Sequence, residues 1–268
     1  MARLRPCGLA ASGALLAATT ALGGGAAGAA AQAPQAPAGA FVSLQDVAPG
    51  IVVEMRYTTA HNFVGRRIPG YREPVCLLTR QAATALARAQ ADVARRGLTL
   101  KVYDCYRPQR AVDAFVAWAK RLDDERMKAE FYPRVDKRNL FRDGYIARRS
   151  GHSRGSTVDV TLVRTPPGPQ DRYRRGDRLA DCAAPRERRF RDNSIDMGTG
   201  YDCFDTRSHP FDERATRRQR ANRLRLRRAL LRQGFQGLGT EWWHFTLRAE
   251  PFPETVFDFP VARGSVDG

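Results

Sequence analysis

The sequence predicts an α+β fold in which helices pack on one face of a small antiparallel or mixed sheet. The chain has 268 residues, enough for one sizeable domain or at most two small ones. Its hydrophobic content of 43% is sufficient for a packed core. After the N-terminal region, hydrophobic patterns typical of helices and strands follow in the order helix, strand, helix, strand, helix, strand.

The first elements follow from hydrophobic spacing and capping residues. Residues 42–57 are a mixed apolar segment, predicted to contain a strand around Ile51, and residues 62–71 are predicted to be a loop because of their Gly and Pro content. A helix is predicted between an N-cap at Thr79 and Gly97. Its apolar residues recur at three- and four-residue spacing: Ala82, Leu86, Ala89 and Val93.

The middle of the chain gives a second strand and a second helix. Residues 98–103 alternate as a strand and lead into the string Asp-Cys-Tyr-Arg-Pro. The helix that follows is expected to bury Val112, Phe115, Val116 and Ala119. Residues 123–149 are charged and irregular, and residues 156–163 alternate as a strand.

Three further segments complete the prediction. Residues 166–191 are rich in Pro, Gly and Arg and are predicted to be a surface insertion. Residues 214–233 indicate an Arg-rich helix. Its buried side is expected to carry Leu224, Leu226, Leu230 and Leu231. Residues 241–247 are the last predicted strand.

The N-terminal region has the features of a secretory signal peptide. Arg3 and Arg5 form a basic start, residues 8–22 form an apolar run, and Ala31 follows small residues that suit cleavage. This predicts a signal peptide at residues 1–31, a flexible leader at 32–41 and one domain at 42–268. No later stretch approaches the ~20 apolar residues of a membrane span. The mature protein is therefore expected to be soluble and exported, either periplasmic or secreted.

The chain is strongly basic, with a formal net charge of +17 and a pI near 10.6. Such a charge can favour nucleic acid, an anionic membrane surface or an acidic polymer such as a cell wall. Most of the excess, however, is Arg scattered among acidic residues, and no nucleic-acid module is recognisable. We therefore expect no nucleic-acid partner. The sequence does not specify an oligomeric state.

Cysteine usage agrees with export. Of the five cysteines, Cys7 lies in the predicted signal peptide, which leaves four without C-x-x-C spacing. We expect disulfides between Cys182 and Cys203 and between Cys76 and Cys105. Four free buried thiols are the alternative.

Two of the four histidines lie in unusual surroundings. Zinc in hydrolases takes three protein ligands of the nitrogen or oxygen type and keeps one position for water. His152, Asp159 and His244 form such a set, because a strand that starts at Ser156 lets Asp159 point into a cleft beside a folded-back His152. That strand is expected to place Thr157, Asp159 and Thr161 on one side and Val158, Val160 and Leu162 towards the core.

Glu241 could supply the base that such a site needs, since a carboxylate three residues from a ligand can reach the water. On a regular strand Glu241 and His244 would face opposite sides, so one of them must lie at the twisted entrance of the strand. By spacing alone the signal is weak. A lone His near a strand is usually an ordinary surface or core residue, and no His-Glu-x-x-His helix motif is present.

Longer motifs give a specific resemblance. The patterns Ser-x-His-x-x-Gly-x-x-x-Asp and Glu-x-x-His resemble the D-alanyl-D-alanine carboxypeptidase and dipeptidase group of zinc peptidases. Several strings look like the VanX-type D-alanyl-D-alanine dipeptidases, at residues 56–63, 103–108, 153–156, 197–202, 241–245 and 258–260. The resemblance runs from about residue 42 to 261 and implies a Hedgehog/D-Ala-D-Ala peptidase-like fold.

The resemblance implies one zinc ion per chain, bound by His152, Asp159 and His244. It also implies that Glu241 is the catalytic base and that Arg107 stabilises the tetrahedral intermediate. A guanidinium fixed beside the reacting carbonyl would meet the negative charge that develops on its oxygen.

The resemblance further implies how the substrate is held. Asp202 is expected to bind its amino terminus, Ser150 and Tyr57 to line its pocket, and Asp104 to act as a partner behind the site. The implied reaction is hydrolysis of D-alanyl-D-alanine or a similar D-dipeptide, in turnover of cell-wall dipeptide. Two alternatives remain, namely a zinc carboxypeptidase or endopeptidase acting on peptidoglycan stem peptides, and a non-catalytic wall-binding module.

Overall fold

The computed structural model describes residues 1–2 and 37–266. The predicted signal peptide and most of the leader, residues 3–36, lie outside the described residues. Five helices are described: α1 (Leu44–Val47), α2 (Arg80–Ala94), α3 (Gln109–Lys120), α4 (Lys128–Phe131) and α5 (Arg217–Arg232). Seven strands are described: β1 (Phe41–Ser43), β2 (Val52–Val53), β3 (Leu77–Thr79), β4 (Leu98–Asp104), β5 (Thr157–Arg164), β6 (Phe235–Gly237) and β7 (His244–Leu247).

The strands form two sheets, and the α+β fold class is confirmed. β1 pairs with β3, while the larger sheet has the order β2-β4-β5-β7-β6. Within it β2 runs parallel to β4 and the other neighbours are antiparallel, so the sheet is mixed. One continuous apolar core contains side chains from both sheets and from α2, α3 and α5.

The three long helices agree with their sequence patterns, with corrections to their buried sides. Thr79 caps α2 by accepting a hydrogen bond from the Ala82 N–H. In α3, Val116 is only half-buried, and Trp118 occupies the core instead. In α5, Leu226 and Leu230 are buried, whereas Leu224 and Leu231 are half-exposed because the core contacts a narrower stripe than the leucine pattern covers. No helix among the described residues has the length and apolar character of a membrane span.

The strands differ more from expectation. The apolar segment 42–57 does not form one strand. It contains the end of β1, the short helix α1 and the two-residue strand β2, because Pro49 and Gly50 interrupt it. β3 and β6 are short and were not predicted. The last strand begins at His244, so Glu241 lies in the loop before it.

β5 is buried on both faces. Val158, Val160 and Leu162 enter the core as expected, but the opposite side, which carries Asp159 and Thr161, is also buried. Ser194, which follows the insertion at residues 166–191, contributes to this cover, because its hydroxyl forms a hydrogen bond of 2.6 Å with the Thr161 hydroxyl.

The insertion at residues 166–191 is not purely a surface feature. Its Tyr173 ring stacks on His61 at 4.8 Å between centroids, and Phe190 contacts the same imidazole at 4.1 Å. Nε2 of His61 also lies 2.8 Å from a carboxylate oxygen of Glu130. The insertion therefore closes over a buried histidine through two aromatic residues within an otherwise polar segment.

Two disulfides join Cys76 to Cys105 and Cys182 to Cys203, the pairing expected from the sequence. The first links the start of β3 to the end of β4. The second links the insertion to the loop that carries Asp202.

Candidate metal centre

Three polar side chains lie in a row across the large sheet. The strand register pairs Asp104 of β4 with Asp159 of β5, and Asp159 with His244 of β7. An irregularity between Val102 and Asp104 shifts the register at the end of β4. Because directly paired residues lie side by side on one face, the sheet itself brings these groups together.

His152 reaches the same place from a tight turn. Residues Gly151–Arg154 form a 3-10 turn that Ser150 caps, because the Ser150 hydroxyl accepts from the His152 N–H. Gly155 then ends the turn with a φ of 81°, in the left-handed region that favours glycine. The chain thus folds back, so that His152 faces the strand that carries Asp159.

We expect Gly155→Ala to lower the free energy of unfolding by roughly 2–6 kcal/mol, since left-handed strain and overpacking each cost about 1–3 kcal/mol. A Cβ at Gly155 would lie 2.1 Å from Cε1 of Phe41. Gly97→Ala is the matched control, because Gly97 has a φ of 66° but a Cβ there meets nothing within 4 Å. Urea unfolding measures both variants, and equal losses would show that the Phe41 contact is unimportant.

The three candidate ligand atoms have the spacing that a tetrahedral zinc ion requires. Nε2 of His152 lies 3.3 Å from Nδ1 of His244 and 3.3 Å from Oδ1 of Asp159. Nδ1 of His244 lies 3.1 Å from the same oxygen. Ligands bonded to zinc at about 2.0–2.1 Å in tetrahedral geometry are roughly 3.3–3.4 Å apart. Among the described residues Oδ1 of Asp159 is buried without a hydrogen-bond partner, as suits an atom that binds a metal ion.

The surroundings of His152 fix which ring nitrogen is free. Nδ1 lies 2.7 Å from the Cys105 carbonyl oxygen, so the Nδ1–H donates to it and Nε2 keeps its lone pair. Asp104 lies just behind, with Oδ2 3.4 Å from the same Nδ1.

Asp104 also holds Arg107. Its Oδ2 accepts from Nε of Arg107 at 2.9 Å and forms an ion pair with Nη2 at 2.8 Å. Its Oδ1 accepts from the Tyr71 hydroxyl at 2.6 Å. The guanidinium carbon lies 5.2 Å from the ring centres of both Tyr57 and Phe115. Arg107 is therefore clamped by a carboxylate and two aromatic rings, and it points into the site with Nη2 3.8 Å from Oδ2 of Asp159.

Glu241 lies beside the candidate ligands. Residues 241–243 precede β7 and are not part of a regular strand, so the side chains of Glu241 and His244 are not forced to opposite sides. Oε2 of Glu241 lies 3.5 Å from Nδ1 of His244. Burial raises the pKa of the Glu241 carboxyl to about 6, a value suited to proton transfer near neutral pH.

Asp202 forms the other end of the site. Its carboxylate accepts from the Tyr57 hydroxyl at 2.8 Å, and its backbone has a φ of 53°, which is unusual for a non-glycine residue. Burial, followed by the nearby charge of Asp159, raises the pKa of Asp202 well above its ordinary value. Such a carboxyl favours a cationic partner, because the cation offsets the cost of burying its charge.

These side chains line one small cavity of about 230 Å³. It includes all eight residues that the sequence assigned to metal binding, catalysis or substrate binding: Tyr57, Arg107, Ser150, His152, Asp159, Asp202, Glu241 and His244. Asp104 lies behind the wall. Pockets for drug-sized ligands are usually ~300–1,000 Å³, so this cavity suits a smaller molecule.

Two tyrosines of this site were not identified from the sequence. Tyr71 donates to Asp104, and Tyr201 donates to Oδ2 of Asp159 at 3.0 Å. Tyr201 directly precedes Asp202, so the Met-Gly-Thr-Gly-Tyr-Asp string contained a signal for it. Tyr71 lies in a segment with no motif around it.

Comparison with known proteins gives one family. The family model Peptidase_M15, described as D-ala-D-ala dipeptidase, matches residues 38–169 and 187–262 of this chain. The unmatched stretch falls within the insertion described above.

Relatives named D-alanyl-D-alanine dipeptidase match most of the chain. It is 38% identical to a D-alanyl-D-alanine dipeptidase of Streptomyces coelicolor over 224 residues, which cover 84% of this chain and 99% of the relative. The protein of the same name from Enterococcus faecium is 33% identical over 82% of this chain and 98% of the relative. The one from Escherichia coli is 30% identical over 80% of this chain and 88% of the relative.

Proposed function

Because the chain belongs to the Peptidase_M15 family of D-alanyl-D-alanine dipeptidases, we propose that it is a zinc-dependent hydrolase of D-alanyl-D-alanine. The observation that carries the proposal is the convergence of three ligand atoms at 3.1–3.3 Å beside a carboxylate. His152, Asp159 and His244 would hold one zinc ion. Nitrogen and oxygen donors in this number are the set used by catalytic zinc.

Glu241 is the proposed general base. A zinc ion at this site would polarise the peptide carbonyl and lower the pKa of a water molecule. Glu241 accepts the proton from the attacking water and then passes it to the leaving amine. Burial raises the pKa of this carboxyl, which favours uptake of the proton from water.

Arg107 is proposed to stabilise the oxyanion. One hydrogen bond and an ion pair to Asp104, together with two aromatic contacts, fix its guanidinium before substrate arrives. Donors that need no reorganisation during the reaction contribute most to transition-state stabilisation, about 3–4 kcal/mol for one such donor.

Asp202 is proposed to hold the amino terminus of the dipeptide. A buried carboxylate beside Tyr57 would bind an ammonium group and reject a blocked amine. The cavity of about 230 Å³ leaves little room for a longer peptide. A free amino terminus and a short length are together the expected determinants of substrate choice.

We expect Asp202→Asn to lower kcat/KM for D-alanyl-D-alanine by about 30-fold or more, equivalent to at least ~2 kcal/mol of lost charge pairing. Asn tolerates a left-handed backbone, so the loop should keep its conformation. Steady-state kinetics on the dipeptide and on its N-acetyl derivative measure the effect. An unchanged preference for the free amine would contradict the assignment of Asp202.

The function is tested by hydrolysis assays on purified, zinc-loaded protein. D-Alanyl-D-alanine should be cleaved, whereas L-alanyl-L-alanine and a stem pentapeptide ending in D-alanyl-D-alanine should not. Faster cleavage of the pentapeptide would favour the carboxypeptidase alternative. Peptidoglycan binding by a protein that neither binds zinc nor hydrolyses the dipeptide would favour the wall-binding module.

We further propose that the enzyme works outside the cytoplasm, in turnover of cell-wall dipeptide. Two disulfides and a signal-peptide-like N-terminus support export.

A further inference from the structure

Tyr201 is a buried tyrosine whose hydroxyl ends at the metal-binding carboxylate. The residue is 4% exposed, and its ring stacks on Tyr103 at 4.4 Å with 13° between the ring planes. Trp243 packs in a T-shaped arrangement with the same ring, at 5.6 Å between centroids. The Tyr201 hydroxyl donates to Oδ2 of Asp159 at 3.0 Å. The ring thus has little freedom to move the hydroxyl away.

The two oxygens of Asp159 have different surroundings. Oδ1 lies against His152 and His244 and, within the described part of the chain, accepts no hydrogen bond. Oδ2 is occupied by the Tyr201 hydroxyl, with Nη2 of Arg107 at 3.8 Å. A carboxylate without such a bond could rotate or offer both oxygens to a cation. The hydrogen bond from Tyr201 occupies Oδ2, so only Oδ1 is left to bind a cation.

The stack is anchored at its far end by a buried ionic cluster. The Tyr103 hydroxyl donates to Oδ2 of Asp192 at 2.8 Å. Asp192 is paired with Arg56 and with Lys101, each at 2.7 Å, and Lys101 is only 1% exposed. Hydrogen bonds and charge pairs therefore restrain Tyr103, and Tyr103 in turn restrains the Tyr201 ring.

We propose that Tyr201 is a positioning residue that makes Asp159 a single-oxygen ligand and thereby tightens zinc binding. The inference rests on the proposed function, because it presumes a metal ion at this site. Partners of this kind orient metal-binding side chains, and their loss typically weakens metal binding by about 10–100-fold.

The test is the zinc affinity of the metal-free protein, measured by competition with a chelating indicator. Tyr201→Phe should bind zinc about 10–100-fold more weakly than wild type. Tyr132→Phe is the matched control, because Tyr132 is also fully buried but its hydroxyl donates to the Asp124 carbonyl oxygen and the residue does not line the cavity, so the zinc affinity should be unchanged. Cobalt(II) absorption spectra should change for Tyr201→Phe, since the coordination of Asp159 changes, and not for Tyr132→Phe.

A pair of non-natural residues separates the hydrogen bond from packing. At position 201, p-aminophenylalanine keeps a donor and p-methylphenylalanine has a similar shape without one. The amino variant should retain zinc affinity, and the methyl variant should lose it, even if Tyr201→Phe fails to fold. Equal affinities in this pair would overturn the inference.

The outcomes also separate this inference from the proposed function. A wild-type protein that binds no zinc would overturn both. A wild type that binds zinc and cleaves the dipeptide, with Tyr201→Phe of equal affinity and an unchanged cobalt spectrum, would overturn only the role of Tyr201.

Discussion

Glu241→Gln should lower kcat for D-alanyl-D-alanine by about 10³-fold or more while the protein keeps its zinc. General base catalysis typically contributes ~10²–10⁴-fold, and here one carboxylate is proposed to move the proton in both directions. The amide has nearly the same shape but cannot accept the proton. Steady-state turnover together with metal analysis of the purified variant measures both parts of the expectation.

Glu254→Gln is the control for this change, since Glu254 is exposed. It should behave as wild type. If Glu241→Gln retained turnover, the base would have to be another group. If it lost both zinc and turnover, Glu241 would be a ligand rather than a base.

His244→Ala should abolish zinc binding at micromolar metal and reduce turnover by at least about 10³-fold. A bound cation contributes several kcal/mol to the stabilisation of developing charge, and each ~1.4 kcal/mol is a factor of ten in rate. Chelation of zinc from the wild type should cause the same loss, and added zinc should restore activity. Metal analysis and turnover at a fixed free zinc concentration provide the measurement.

His209→Ala is the matched control, because His209 is the histidine just after the turn Thr206–Ser208 and does not line the cavity. It should retain both metal and activity. Full activity of His244→Ala without added metal would rule out the proposed metal centre.

Much of the site could be predicted because its residues lie in local motifs. The turn before β5 contains Ser150, His152 and Gly155 within six positions, and backbone capping explains why these residue types occur there. Asp159 followed from strand alternation, and its pairing with His244 followed only once the sheet was known. Spacing along the chain describes one element at a time, whereas the site is built across three neighbouring strands.

The parts that escaped prediction depend on contacts between distant segments. β6 is three residues long and is defined by its pairing with β7, so its own sequence gives little signal. Lys101 looks like a break in the apolar pattern of β4, yet Asp192 and Glu54 neutralise it inside the protein. Leu224 and Leu231 looked like core residues because hydrophobic spacing does not reveal how wide a face the neighbouring elements cover.

The two disulfides lie next to groups that would meet the charged parts of the substrate. Cys105 is two residues before Arg107, and Cys203 directly follows Asp202. A covalent tie so close to each loop reduces the number of backbone conformations that the free enzyme samples. Less conformational entropy is then lost when a small ligand with few contacts binds. A molecule as short as two alanines offers little contact area, so the stiffness of its receptor contributes directly to how tightly it is held.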